Sequence, residues 1–302
     1  MFCLAITYNS FSYLEPKEGY NMQQAMVSKE QAIRAIVASS VINFAQTFSH
    51  RHIQEFNDPD GTINMKIHNV FIAALGSEIQ YYTALVRSLD SSLGNMLEAM
   101  ALAIARFSYT VTKSVDGYLY PEQVHKISEI LEGYKNKQNP LTPLIQHYDW
   151  IAEANSKYID ITDEERLTFT KTHVSDYYFH DPLSDHHFIV ELKIGGDLDN
   201  KKARSEKEAI FEQYAILRNI LGNDAKISCY FATAYNRFGE GKPWEQGRVL
   251  QFFAREELLI GKDFWDFVCK SDQGYDIVID EYRKNAHYIT QALDSIKEQY
   301  LG

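Results

Sequence analysis

The chain has 302 residues, of which 45% are hydrophobic and 24% are charged, and its formal net charge is −11. This composition allows a sizeable core in one large domain or two, and it excludes a disordered chain. The acidic balance argues against a protein that binds nucleic acid over its whole surface, although a local basic groove would be enough for a DNA enzyme.

Cysteine usage and hydropathy predict a cytoplasmic protein. The three cysteines, Cys3, Cys229 and Cys269, have no CxxC spacing, which is typical of reduced thiols. The longest apolar helical run, residues 99–105, is too short to span a bilayer. The N-terminus lacks the basic start and the cleavage site of a signal peptide.

Amphipathic helices are predicted through the N-terminal half, over residues 28–48, 66–89, 92–107 and 121–134. The apolar stripe of the first contains Ile33, Ile36, Val37, Val41, Phe44 and Phe48. The side chains of the second that we expect to face the core are Phe71, Leu75, Ile79, Tyr82 and Leu85. A linker at 135–143 precedes another predicted helix at 141–157.

From about residue 158 the hydrophobic period changes from helix to strand. The segments ERLTFTKTHV, SDYYF and HHFIVELK predict three strands, residues 201–221 a helix, and residues 227–235 a buried strand. If the last strand is parallel to the third, the crossover helix brings its end to the same sheet edge as Glu191 and Lys193. Short helices are predicted at 249–258 and 262–270, and a final helix with a heptad-like stripe at 275–300.

The central prediction concerns the hairpin from His173 to Gly196. Asp176 and Glu191 are equally distant in sequence from its turn, so a symmetric register places them opposite each other. Lys193 follows two residues after Glu191 and shares its face. Two carboxylates and an ammonium at one end of a sheet indicate a Mg²⁺-dependent phosphodiesterase.

Other polar residues near the hairpin leave alternatives open. Asp181 and Asp185 flank the turn and suit it, but Asp181 becomes the alternative first carboxylate if the register slips. The histidines 180, 186 and 187 suggest a transition-metal site, although His186 and His187 point to opposite faces, which favours a solvated turn. Asp199 is placed to stabilise a helix N-terminus or to serve as an additional metal ligand.

DNA contacts are predicted in two places near this sheet edge. One is the start of the 201–221 helix, and the other is the loop 236–248, which is rich in groups that read base edges. The predicted DNA-binding residues are Lys201, Lys202, Arg204, Asn236, Arg237, Lys242 and Arg248. A solvated helix face and an ordinary surface loop are the competing interpretations.

The hairpin residues carry a resemblance to a known family. Ser175-Asp176 with Glu191-x-Lys193 resembles the PD-(D/E)xK nuclease core, with Ser175 where that family often has proline. The segments HFIVELKIGGDLDNKKARSEKEAIFEQYAILRN, FATAYNRFGEGKPW and ELLIGKDFWDFVC resemble the TdeIII-type family of type II restriction endonucleases. The resemblance extends over roughly residues 165–270.

The resemblance implies an α/β (α+β) fold in which a mixed sheet is flanked by helices in the order helix, three strands, helix, strand. It also implies that Asp176, Glu191 and the main-chain carbonyl of Leu192 bind Mg²⁺. Lys193 would position or deprotonate the attacking water. The expected reaction cuts both strands of DNA to leave 5′-phosphate ends, at a short GC-rich palindrome with an unspecified centre.

The predicted organisation divides the chain into four segments. Residues 1–25 form a poorly packed extension, 26–140 a helical region for DNA binding or dimerisation, 141–270 the nuclease core and 271–302 a C-terminal helix. The expected partners are double-stranded DNA, a second copy of the chain and, genetically, a DNA methyltransferase. A repair or recombination nuclease, a non-catalytic DNA-binding module and a histidine-cluster metallohydrolase remain as alternatives.

Overall fold

The computed structural model describes residues 22–136, 158 and 160–302, with side chains from residue 29 onward. The predicted helix at 141–157 and most of the linker before it lie outside the described residues, as does the predicted extension up to residue 21.

Helices dominate the N-terminal half. Its elements are α1 (Met22–Gln54), two 3₁₀ turns (Glu55–Asn57 and Asn64–His68), α2 (Val70–Ala73), α3 (Ser77–Ala105), β1 (Thr110–Tyr118) and α4 (Pro121–Lys135).

The other strands lie in the C-terminal half, between helices. Its elements are α5 (Asp163–Leu167), β2 (Thr170–Asp181), β3 (His186–Leu192), α6 (Asn200–Leu221), β4 (Lys226–Thr233), a 3₁₀ turn (Arg255–Glu257), β5 (Leu258–Ile260), α7 (Lys262–Cys269) and α8 (Gly274–Leu301).

Five strands form one mixed sheet in the order β1-β2-β3-β4-β5. The β1–β2 and β2–β3 pairs are antiparallel, whereas β3–β4 and β4–β5 are parallel. The helix α6 makes the crossover between β3 and β4, and because these strands are parallel the end of β4 lies at the same sheet edge as the end of β3.

Helices cover both faces of the sheet. One hydrophobic core joins α1, α3, α7 and α8 to the sheet through side chains such as Tyr177, Val190 and Ala232. A second core joins α4 and α6 to the opposite face through side chains such as Ile189 and Phe231. The predicted fold class, a mixed sheet flanked by helices with a helical N-terminal region, is confirmed.

The predicted stripe of α1 is correct, because five of its six residues are buried and Ile36 is half-buried. The prediction for the second helix is wrong. A single helix α3 replaces the two predicted helices at 66–89 and 92–107, and the chain before it forms short turns. Of the side chains expected to face the core, Leu85 is 6% exposed but Phe71 is 83% exposed.

The strand prediction also needs correction. The two segments read as separate strands, ERLTFTKTHV and SDYYF, join in the single twelve-residue strand β2. The outer strand is instead β1, which the sequence analysis did not assign to any element. Likewise β5 and a 3₁₀ turn occupy part of the short helix predicted at 249–258.

The last helix packs along the first. Arg34 pairs with Asp280 at 2.8 Å, and the Tyr300 hydroxyl donates to the His52 carbonyl at 3.0 Å, so α1 and α8 run parallel. Ile289 and Ile296 of the heptad-like stripe are buried in the core that both helices share. Among the described residues, no helix has the length and hydropathy that crossing a membrane requires.

Candidate active site

The hairpin β2–β3 has the register that its turn predicts. Paired residues run from Asp181↔His186 at the turn to Tyr177↔Val190 near the open end. Asp176 and Glu191 are the next positions in this register. The amide of Leu192 donates to Asp176 Oδ2 at 2.9 Å, which fixes the carboxylate against the end of β3.

Lys193 joins these carboxylates into one cluster. Its Nζ lies 3.0 Å from Glu191 Oε1 and 3.4 Å from Asp176 Oδ2. The structure therefore brings together the three residues predicted to be catalytic. The main-chain amide of Lys193 donates to the Ala232 carbonyl at 2.9 Å, so β4 supports the backbone at this position.

Glu206 is a fourth member that the sequence analysis missed. It lies in the second turn of α6, and its Oε2 is 3.3 Å from Lys193 Nζ. The one sequence feature that could have indicated Glu206 is its position in the helix that directly follows the strand with Glu191 and Lys193.

The electrostatics of the cluster are unfavourable for Glu191. Burial and the neighbouring Asp176 raise the pKa of Glu191 to about 8, against the opposing effect of Lys193. The Glu191 residue is only 7% exposed, so water screens its charge poorly. A carboxylate in this position is stabilised by any further cation that reaches it.

The three neighbouring carboxylates determine the protonation state of Lys193. Burial lowers its pKa, but the charges of Glu191, Asp176 and Glu206 together outweigh that effect and raise it above the ordinary lysine value. Lys193 is therefore an ammonium at neutral pH in this arrangement. In this form it can neutralise charge and donate hydrogen bonds.

A glycine holds the chain close to the site. Gly196 has a φ of 60°, a left-handed conformation that favours glycine. A methyl group there would lie 2.5 Å from the Trp244 ring and 2.8 Å from Thr233 Cγ2. The loop after Lys193 can therefore fold against the loop after β4 only with glycine at this position.

A polar cleft of about 720 Å³ adjoins the cluster. One wall is the α3 segment from Asp90 to Glu98, and the other is the loop from Leu192 to Leu198 with Tyr235 and Arg237. The predicted DNA-binding residue in its lining is Arg237, whose guanidinium is 2.7 Å from Asp197. The contribution of α3 was not predicted.

The other predicted DNA-binding residues differ in their surroundings. Those that are exposed are Lys201, Lys202, Lys242 and Arg248. Arg204 is half-buried. Asn236 donates to the Lys242 carbonyl at 2.7 Å and accepts from the Phe238 amide, so its side chain closes the loop on itself.

The alternative acidic ligands lie elsewhere. Asp181 is bound by Lys270 at 2.7 Å and by Ser184 at 2.8 Å, five residues along β2 from Asp176. Asp199 caps α6, since its side chain accepts from the Lys202 amide at 2.8 Å. Their geometry agrees with the turn and helix-cap interpretations.

The active-site cluster, defined here as Asp176, Glu191, Lys193 and Glu206, fits a divalent cation by its donor chemistry. Three carboxylates and one ammonium give a formal charge of −2 when all are ionised, which one divalent ion balances. Carboxylate oxygens are the hard donors that Mg²⁺ prefers. Burial and the charge of Asp176 raise the pKa of Glu191, so an added cation would stabilise its ionised form.

Comparison with models of protein families gives a match over most of the chain. The family model described as "Type II restriction endonuclease, HinfI" matches residues 29–286. No curated protein and no solved structure matches the chain. The matched range includes α3, the whole sheet and every member of the active-site cluster.

Proposed function

This chain belongs to the HinfI family of type II restriction endonucleases, and from that membership we propose that it hydrolyses both strands of double-stranded DNA at a specific sequence in a Mg²⁺-dependent reaction. The observation that carries the proposal is the convergence of Asp176, Glu191 and Glu206 on Lys193 at one edge of the sheet. This edge also adjoins a polar cleft.

The proposed Mg²⁺ would be held by Asp176, Glu191 and the carbonyl of Leu192. When bound, such an ion supplies Lewis-acid stabilisation of a phosphate and lowers the pKa of a coordinated water. Within the chain, Asp176 is oriented by the Leu192 amide. Glu191 is oriented by Lys193. Neither carboxylate depends on a mobile loop, because both project from paired strands.

Lys193 is proposed to orient the attacking water and to stabilise negative charge that develops on the phosphate. A phosphodiester is already anionic, so an ammonium at this position reduces the repulsion that a nucleophile meets. Glu206 is proposed as a positioning residue, because its Oε2 contacts the ammonium from the helix side. The product ends are proposed to be 5′-phosphate and 3′-hydroxyl.

DNA is proposed to lie over the cleft between α3 and the β3–α6 loop. Lys201, Lys202 and Arg204 begin the crossover helix beside this edge, and Arg237, Lys242 and Arg248 belong to the loop after β4. These groups would provide the local positive charge that the acidic chain needs. The loop also carries Asn236, whose side chain would have to leave its intraloop bonds to read a base.

Several finer features remain part of the proposal. They are a PD-(D/E)xK active site, a TdeIII-type relationship with its GC-rich palindrome, and the domain division at residues 25, 140 and 270. The cellular context is proposed to be a cytoplasmic restriction-modification system with a cognate DNA methyltransferase. Mapping the cut positions on sequenced DNA tests the recognition sequence directly.

A second copy of the chain is the proposed protein partner, because one active-site cluster cannot face both strands of a symmetric site at once. The proposed contact is the exposed apolar face, defined by Met65, Ile67, Val70, Phe71, Leu75 and Val86, which are each at least 51% exposed. Monomeric proteins rarely leave such a patch uncovered. Val86 lies on α3, the helix whose segment from Asp90 to Glu98 lines the cleft.

The test is digestion of phage DNA by the purified protein with Mg²⁺ or with chelator. We expect discrete fragments with Mg²⁺ and no cleavage by Glu191→Ala or Lys193→Ala. Glu206→Gln should lower the rate by up to about 100- to 1000-fold, the range found when one charge-stabilising group is lost. Uncut DNA, or cleavage that persists in chelator, contradicts the proposal.

A matched control separates positioning from general charge. Glu208→Gln changes the same helix two residues further on, outside the active-site cluster, and should keep the wild-type rate. If Glu206 positions Lys193, its variant should also shift the pH profile of cleavage, which a merely structural residue would leave unchanged. Equal effects of the two substitutions would remove Glu206 from the site.

A further inference from the structure

The turn end of the β2–β3 hairpin brings two histidines and an aspartate together. His180 and His187 are paired across the strands, and their rings stack with centroids 4.4 Å apart. Asp185 enters from the turn with a left-handed φ of 50°. Its Oδ1 lies 2.9 Å from His180 Nε2 and 3.7 Å from His187 Nε2. The sequence indicated a histidine cluster here, in which His186 and His187 point to opposite faces, and in the structure they do lie on opposite faces.

The spacing of these three groups suits one metal ion. Their potential ligand atoms all lie within 4.8 Å of one another. A tetrahedral ion with bonds of about 2.0–2.1 Å separates its ligand atoms by roughly 3.3 Å. The planes of the two stacked imidazole rings are nearly parallel, with an interplanar angle of 11°. The rings must therefore tilt toward each other for both Nε2 lone pairs to reach one ion.

A third side chain supports this arrangement from behind. The Tyr178 hydroxyl lies 2.7 Å from His187 Nδ1 on the far side of the ring. With Nδ1–H donated to that hydroxyl, Nε2 keeps a free lone pair that points toward Asp185. Histidines that bind metals are usually held in this way by a partner on the other nitrogen. His187 is only 7% exposed, so its ring orientation is fixed by packing.

From this geometry we infer that His180, Asp185 and His187 form a binding site for a first-row transition-metal ion, Zn²⁺ in the first instance. Imidazole nitrogens with one carboxylate suit Zn²⁺ and related ions, whereas Mg²⁺ prefers oxygen donors. Three protein ligands leave a fourth position for water.

The site is separate from the active-site cluster. Glu191 is four positions beyond His187 in β3, which corresponds to about 13 Å along the strand. An ion here would join β2, β3 and the turn between them. It would stabilise the register of the hairpin, and the same register places Asp176 opposite Glu191 at the other end.

The experiment is a titration of chelator-treated, full-length protein with ZnCl₂ by calorimetry, in excess Mg²⁺ to occupy the active-site cluster. We expect one saturable equivalent and a rise in melting temperature. Co²⁺ should give the intense visible absorption of a four-coordinate ion. Asp185→Asn, which is a nearly isosteric change in an exposed side chain, should abolish saturable binding, and Tyr178→Phe should weaken it about 10- to 100-fold.

His186→Ala is the matched control. His186 precedes His187 in the same strand, but its ring contacts Ser228 Oγ at 2.9 Å on the other face. It should bind Zn²⁺ like the wild type, and Asp185→Asn should retain Mg²⁺-dependent DNA cleavage. No saturable Zn²⁺ binding by the wild type, or equal loss in His186→Ala and Asp185→Asn, overturns the site and leaves the nuclease proposal intact.

Discussion

Glu191 illustrates how a residue suited to chemistry can weaken the folded state. In the unfolded chain its pKa is near the ordinary glutamate value, whereas burial beside Asp176 raises it to about 8 in the folded chain. The protonated side chain therefore contributes its full stabilisation of the folded state at any pH below the pKa of the unfolded chain. That contribution is lost as the pH rises toward 8.

Glu191→Gln should accordingly stabilise the protein at alkaline pH in the absence of divalent ions. The gain in free energy of unfolding should be small near pH 5 and grow to on the order of 3 kcal/mol near pH 8. Thermal melts in chelator between pH 5 and 8.5 measure it, with Glu208→Gln as a control that should show no such trend. A gain that does not change with pH would contradict the electrostatic origin.

The position of single residues was predictable only where strand geometry decides it. The symmetric turn places Asp176 opposite Glu191, and the two-residue strand period adds Lys193 on the same face. Glu206 could not be found this way, because the rotation of α6 about its axis relative to β3 follows from packing. The raised pKa of Lys193 likewise depends on three carboxylates meeting, two of which are distant in sequence.

At the scale of elements, the loop between β3 and α6 depends on Gly196. Gly196→Ala should lower the free energy of unfolding by about 1–3 kcal/mol, because the methyl group meets Trp244 in an already strained backbone conformation. The same change should reduce cleavage, since the loop begins at Lys193. Chemical denaturation and a cleavage assay measure both effects.

Gly222→Ala is the control for backbone strain alone. Gly222 also has a positive φ, of 85°, but nothing lies within 4 Å of the added methyl group. It should cost less stability than Gly196→Ala and leave cleavage unchanged. If the two variants behave alike, the contact with Trp244 does not contribute.

The elements that were predicted have a strong hydrophobic pattern, whereas those that were missed have a weak one or are very short. The α1 stripe and β4 are long periodic or continuous apolar segments, so their own sequence specifies them. The strand β1, in contrast, has the sequence TVTKSVDGY and lies at the edge of the sheet. Val115 is its only buried residue. Edge strands with one solvated face lack a strong hydrophobic pattern, and β5 has only three residues.

At the scale of the molecule, the exposed apolar face predicts self-association. Phe71→Glu should convert a dimer into a monomer and slow the cutting of both strands, because a charge would be buried in the contact. Sedimentation measurements test this change. Leu183→Glu is the control, since Leu183 is 89% exposed at the hairpin turn and is not one of the residues that define the face. A wild-type protein that stays monomeric on DNA would exclude this contact.

The pairing of α1 with α8 has a consequence for the order in which the protein is made. All members of the active-site cluster lie between residues 176 and 206, yet the core behind their sheet is closed by Ile289 and Ile296 of the last helix. When the ribosome has synthesised the residues of the cluster, it has not yet synthesised the helix that packs against α1. The fold that holds the cluster is therefore completed only after α8 has been synthesised, which is later than every residue of the cluster itself.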